Sequence, residues 1–154
     1  MIETVREKGT VIYEVVRCAA TVVFHTIWQV SSHHTERLPK DAPYVIISNH
    51  VHALDPGVIG FAVKNKQLVY LGKKELAKNK LFERFLAAMH CILVDRHHAD
   101  MEAMRACMKA IRMNKILVIF PAGTRHHEGQ MEQIESGAAL IILRSKATVC
   151  PVYI

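Results

Sequence analysis

Aromatic residues are scarce, at 6% of the chain, and no stretch interleaves them with basic side chains. That excludes a stacking platform for single-stranded nucleic acid, which needs both. Four cysteines, at positions 18, 91, 107 and 150, show no C-x-x-C spacing, and three of them lie in apolar runs. Buried free thiols in a reducing compartment are the reading that remains. No internal repeat or low-complexity tract is present. An uninterrupted membrane-length run is missing too. Residues 11–30 approach the ~20 that a bilayer span requires, but Glu14, Arg17, Thr21, His25 and Gln29 break them at steps of three and four. The same charges argue against the apolar region of a cleaved signal peptide.

Hydrophobic residues make up 51% of the 154, enough to build the core of one domain and too little for two. A net charge of +6 suits anionic partners: nucleic acid, phosphorylated small molecules or an anionic membrane surface. The cations are scattered, which favours a membrane or a phosphate and speaks against nucleic acid. In residues 11–30 the polar groups recur at helical spacing, forming one narrow stripe on an otherwise apolar helix. Such a helix can lie in a membrane interface, pack on a core or partner, or span the bilayer. A span would place each deep charge at a cost of roughly a few kcal/mol. The interfacial reading keeps the stripe among headgroups and uses Tyr13 and Trp28 as amphipathic anchors. It makes residues 1–34 a membrane-associating helix and 35–154 the body, with polar residues 31–43 leading in.

The body alternates two kinds of segment. Residues 44–47, 68–71, 91–94, 116–120 and 148–154 are short, rich in Ile, Val and Leu, and mostly not alternating. That pattern predicts strands covered on both faces. Residues 100–113 predict a helix with Met101, Met104, Met108 and Ile111 as its core stripe. Residues 130–144 place Met131, Ile134, Ala138 and Ile141 on one face and turn apolar all round near the end, which predicts a well-buried helix. The alternation predicts an α/β fold, a largely parallel or mixed sheet flanked by helices.

Between the first strand and its helix lies Ser48-Asn49-His50-Val51-His52-Ala53-Leu54-Asp55-Pro56. On a continuous helix His50 and Asp55 would point about 140° apart, so they meet only if the chain bends. Pro56 encodes the bend: it disfavours helix at Asp55 and suits the first helical position, making Asp55 a natural N-cap. The loop can then fold the carboxylate onto His50, the geometry of an oriented general base. His50 and His52 also form an H-x-H pair, which leaves a metal-dependent hydrolase as an alternative. In open α/β sheets ligands bind beyond the carboxyl ends of the strands. The loops there carry His50, Asp95-Arg96 and Ala122-Gly123-Thr124-Arg125, with Lys73 after the second strand. Guanidinium forks and backbone amides of this kind suit phosphate.

Taken in order, these residues resemble the glycerol-phosphate and lysophosphatidic acid acyltransferases. The family's H-x4-D box matches His50 to Asp55, preceded by Asn49, and its K-x-E-L segment matches Lys73-Lys74-Glu75-Leu76. Its second-box Arg matches Arg96, its F-P-E-G-T-R box Phe120 to Arg125, and its last, proline-containing strand Val149 to Val152. The fit runs from Leu38 to Ile154, with the apolar helix in the membrane-facing place. Departures are Ala122 for the box's Glu, His52 for a small polar residue, and Lys80 and Arg84 for Pro and Gly. Glu135 stands where Lys is frequent. Family members usually continue for several more elements, so the resemblance implies that 35–154 is an acyltransferase domain without its C-terminal part.

The resemblance implies acyl transfer from acyl-CoA or acyl carrier protein to a lysophospholipid hydroxyl, with no metal or other cofactor. His50 and Asp55 would be catalytic. Lys73, Arg96, Gly123, Thr124 and Arg125 would hold the acceptor's phosphate. The chain would sit on the cytoplasmic face of a membrane. With Ala122 in place of the Glu, a catalytically weak lipid-phosphate binding module is the alternative within the same fold.

Overall fold

The computed structural model describes residues 11–63, 67–95, 100–122 and 135–154. The β-branched and leucine-rich runs form five strands: β1 (Tyr44–Ser48), β2 (Leu68–Lys73), β3 (Cys91–Val94), β4 (Ile116–Ile119) and β5 (Thr148–Val152). All pairings are parallel, in the order β3-β2-β4-β1-β5. Val45, Ile46, Leu68, Val69, Ile116, Leu117 and Val118 are fully buried, which accounts for runs without polar alternation. Pro151 is tolerated because β5 is an edge strand, where a missing amide breaks no ladder on the open side.

Four helices cover the sheet: α2 (Asp55–Ala62), α3 (Lys80–Ala88), α4 (Met101–Arg112) and α5 (Ser136–Ser145), numbered after an N-terminal α1 (Val11–Thr26). Ile59 of α2 and Leu86 of α3 pack with Tyr44, Ile46, Leu68 and Tyr70 on one face. Met104 and Cys107 of α4 and Ile141 of α5 pack with Val45, Val69, Leu117 and Ile119 on the other. This division follows from right-handed crossovers. Connections β1 to β2 and β2 to β3 run one way along the sheet and take one face, whereas β3 to β4 and β4 to β5 run back and take the other. Neighbouring strands therefore leave the carboxyl edge toward opposite faces. The helices that follow β1 and β4, which pair side by side, accordingly lie on opposite faces.

Two helix faces differ from expectation. On α4 the buried side is Ala103, Met104, Cys107, Ala110 and Ile111, while Met101 is exposed. Small residues let the helix sit close to the sheet, so the contact line passes along Ala103, Cys107 and Ala110 and leaves the first methionine outside. On α5 only Ile141 is buried, and Leu143 is 75% exposed. An all-round apolar sequence there does not produce all-round burial. Met131 and Ile134 lie outside the described residues.

Helix α1 packs on α2. Phe24 is buried where the Cβ of any residue replacing Gly57 would lie 3.0 Å from its ring. Tyr13 is buried as well, its hydroxyl accepting the Leu68 amide at 3.2 Å. A membrane anchor at Tyr13 is therefore corrected: the ring fastens α1 to the start of β2. Trp28 is 53% exposed, and Val11, Ile12, Val15, Val22 and Ile27 are exposed with it. The apolar girth of α1 is thus split between a face docked on α2 and a face left open.

Cys91 and Cys107 are buried, and burial pushes both thiols up to about 12; Cys150 is buried and raised by the same cause. Cys18 is exposed. Alkylation at neutral pH should therefore modify Cys18 rapidly and the other three only on unfolding. Mass spectrometry of a time course in and out of urea checks this; fast native labelling of Cys91 or Cys107 would contradict the packing.

Candidate active site

The site begins where β1 ends. From Asn49 to Leu54 the backbone leaves the sheet, and the Asp55 amide donates to the His52 carbonyl at 3.2 Å, closing a turn. The Asp55 carboxylate is buried, 3% exposed as a side chain, and its Oδ2 accepts three donors. These are the Val51 amide at 2.7 Å, the His52 amide at 2.8 Å and His50 Nδ1 at 2.7 Å. Burying an anion is costly unless it is fully hydrogen-bonded, and the loop meets that demand with its own amides. The structure revises one expectation here. Leu54, not Asp55, stands at the N-cap of α2, and Asp55 is its first helical residue, with Pro56 next. The carboxylate turns back to organise the loop instead of capping the helix.

With Nδ1–H given to Asp55, the lone pair of Nε2 is left for a substrate proton, the arrangement of a general base. The imidazole is also held by its flat side. Its ring centroid lies 4.3 Å from that of Phe120, with 26° between the planes. Phe120 directly follows β4, and the registered pair Ile47 with Ile119 brings the ends of β1 and β4 together. His52 is engaged differently, its Nδ1 accepting the Leu54 amide at 3.2 Å. Among the described residues no three His, Cys, Asp or Glu side chains converge.

Asn49 is buried and reaches the opposite way. Its Nδ2 donates to the Ile154 carbonyl at 2.7 Å, and its Oδ1 accepts the Ile154 amide at 2.8 Å. The side chain imitates a neighbouring strand and extends the pairing of β1 with β5 beyond its last registered pair, Ser48 with Val152. Lys73, at the end of β2, lies on the same carboxyl edge as His50 and is half-buried. Ala122 is buried just past Phe120. Arg96, Gly123, Thr124 and Arg125 lie outside the described residues. Reading the sequence missed the stacking of Phe120 on His50 and the partner of Asn49. Both contacts depend on which strands lie side by side, and no short-range pattern encodes that.

Asn49→Ala should remove both bonds to Ile154 and cost about 1–3 kcal/mol of stability, because two backbone groups lose their partner. Urea unfolding measures the loss, and hydrogen exchange should show the Ile154 amide losing protection while β4 keeps its own. Unchanged exchange at Ile154 would mean that the clamp is not made in solution.

Comparison with known proteins gives this geometry a context. Residues 29–154 match a family model described as Acyltransferase. A 1-acyl-sn-glycerol-3-phosphate acyltransferase of Bacillus subtilis is 32% identical over 122 residues, spanning 79% of this chain and 60% of that protein. One from Streptococcus pneumoniae is 28% identical over 132 residues, spanning 82% of this chain and 48% of that protein. The chain thus spans about half the length of the curated relatives it matches. The crystal structure of PlsC, the 1-acyl-sn-glycerophosphate acyltransferase of Thermotoga maritima, superposes with a TM-score of 0.68. It is 18% identical and covers 89% of this chain and 55% of its own, a likeness of fold. With the family model running from residue 29 through the H-x4-D loop to Ile154, the chain belongs to the acyltransferase family.

Proposed function

We propose that this chain transfers an acyl group from a thioester, acyl-CoA or acyl carrier protein, to the free hydroxyl of a lysophospholipid such as 1-acylglycerol-3-phosphate. The observation that carries this reading is the 2.7 Å bond between His50 Nδ1 and a buried Asp55 carboxylate, with Phe120 stacked on the ring. The names of the relatives support the acceptor class.

In this reading His50 Nε2 takes the hydroxyl proton as the oxygen attacks the thioester carbonyl. The tetrahedral intermediate collapses with cleavage of the C–S bond, and the imidazolium returns the proton to the departing thiolate. Asp55 steadies the imidazolium through Nδ1. A positioned base of this kind contributes about 10²–10⁴ in rate. Lys73, Arg96 and Arg125, with the amides of Gly123 and Thr124, would hold the acceptor phosphate and so place its hydroxyl, an effect of comparable weight. The thioester is already activated, so the scheme needs no metal.

The lipid acceptor argues for work at a membrane, on its cytoplasmic face if the donor is soluble. Residues 1–34 would be the membrane-interface element and 35–154 the acyltransferase domain. No helix of the described residues is long and apolar enough to cross a membrane. Surface seating suits α1 better, since its open face presents Val11, Ile12, Val15, Val22, Ile27 and Trp28.

His50→Ala should abolish transfer from labelled acyl-CoA to lysophosphatidate with folding intact. Asp55→Asn should be nearly as damaging, because an amide does not stabilise an imidazolium. Near wild-type turnover in His50→Ala sinks the mechanism. Ala122→Glu, which restores the residue of the family's F-P-E-G-T-R box, should raise transfer at least tenfold, equivalent to about 1.4 kcal/mol. If both forms bind lysophosphatidate and neither transfers acyl groups, Ala122 is not the limiting defect, and the portion of its relatives that this chain does not span becomes the better explanation.

The seating of α1 is tested with anionic vesicles. The protein should sediment with them, high salt should release only part of it, and Cys18 should become protected from alkylation. Val15→Glu with Val22→Glu should abolish both effects. Complete release by salt, or unchanged labelling of Cys18 on vesicles, would remove α1 from the interface.

A further inference from the structure

Helix α3 contains no buried residue, and Leu86 is the side chain it packs into the core. Its outer side is apolar: Leu81 is 80% exposed, Phe82 41% and Phe85 39%, with Leu76 exposed just before the helix. Leu81 and Phe85 stand four residues apart and so share one face, and the Phe82 and Phe85 rings stack with centroids 5.9 Å apart. Asn79 fixes the start of the helix, its side chain accepting the Phe82 amide at 2.7 Å.

Charge is arranged around this stripe. Lys78, Lys80 and Arg84 are all exposed. On a helix of 3.6 residues per turn Lys80 and Arg84 border the Leu81–Phe85 line, whereas Glu83 falls on the opposite side, toward the body. From residue 73 to 85 the chain carries five cations and two carboxylates. An apolar strip edged by long cationic side chains, with Glu83 turned inward and Glu75 exposed ahead of the helix, complements an anionic lipid surface: rings and leucines enter the acyl boundary and the cations reach the headgroups. Position agrees. Helix α3 starts from the carboxyl edge that holds His50 and Lys73, on the sheet face where α2 lies and α1 packs.

We propose that α3 is a second membrane contact, inserting Leu81, Phe82 and Phe85 into an anionic bilayer surface with Lys78, Lys80 and Arg84 at the headgroups. This rests on the reading that the chain works at a lipid surface, and it adds to α1 a separate point of support at the rim of the site.

The chain has one tryptophan, Trp28, beside α1, so the two contacts can be read separately. In parent protein on vesicles of phosphatidylglycerol with brominated acyl chains, Trp28 fluorescence reports α1. In a Trp28→Phe, Leu81→Trp chain the introduced indole reports α3. It should shift to the blue and be quenched by the bromine. Lys80→Gln and Arg84→Gln should each weaken partitioning onto anionic vesicles roughly fivefold and leave partitioning onto phosphatidylcholine unchanged. If Trp28 responds and the indole at position 81 stays in water, α1 seats alone and the proposal is overturned. If neither responds, the lipid-surface reading falls with it. Self-association without lipid that Leu81→Glu abolishes would assign this face to a second copy of the chain, which also overturns the proposal.

Discussion

Oδ2 of Asp55 is a buried anionic atom that needs donors, and the loop after β1 is shaped by where those donors lie. The Val51 and His52 amides point inward because the carboxylate is there, and His50 turns its Nδ1 edge to the same atom. Take the oxygen away and two backbone amides lose their partner and a histidine loses its orientation. The carboxylate can occupy this spot because Asp55 opens a helix whose next residue is proline, so its backbone is held while its side chain reaches back. Local backbone order and the state of the imidazole therefore share one cause.

The sheet supplies the other half of the site. The helices that follow adjacent parallel strands lie on opposite faces, and the ends of β1 and β4 stand side by side. Phe120 occupies the step after β4 and meets His50 there. On the far side of β1, Asn49 draws the end of β5 against it through both main-chain groups of Ile154. A histidine set between an aromatic face and a buried carboxylate, on a strand end tied at its flank, has little freedom of ring orientation. Such preorganisation is what a proton-transfer step requires of its base.

The strands were legible in the sequence because a doubly covered parallel strand is an unbroken apolar run, and all five runs became strands. The His50–Asp55 pair was legible because Pro56 marks the end of the loop between them. What was not legible has a common origin in tertiary packing. The order of the strands sets Phe120 under His50 across 70 positions of chain, and no local pattern carries that. The side of α4 that meets the sheet was decided by Ala103, Cys107 and Ala110, whose small size permits close approach, and a search for large apolar residues picks Met101 instead. Tyr13 looked like an amphipathic anchor because its ring and hydroxyl suit a headgroup layer equally well as they suit a buried contact with a free amide. For Arg96, Gly123, Thr124 and Arg125, motif position is the whole of the case.

At Gly57 no side chain stands between α2 and Phe24, and that closeness couples two distant parts of the chain. Phe24 bears on the α2 backbone two residues after the carboxylate that orients His50. Helix α1 thus packs against the helix whose first turn carries Asp55. A side chain at position 57 that pushed Phe24 aside would therefore also strain the turn that holds Asp55 against His50.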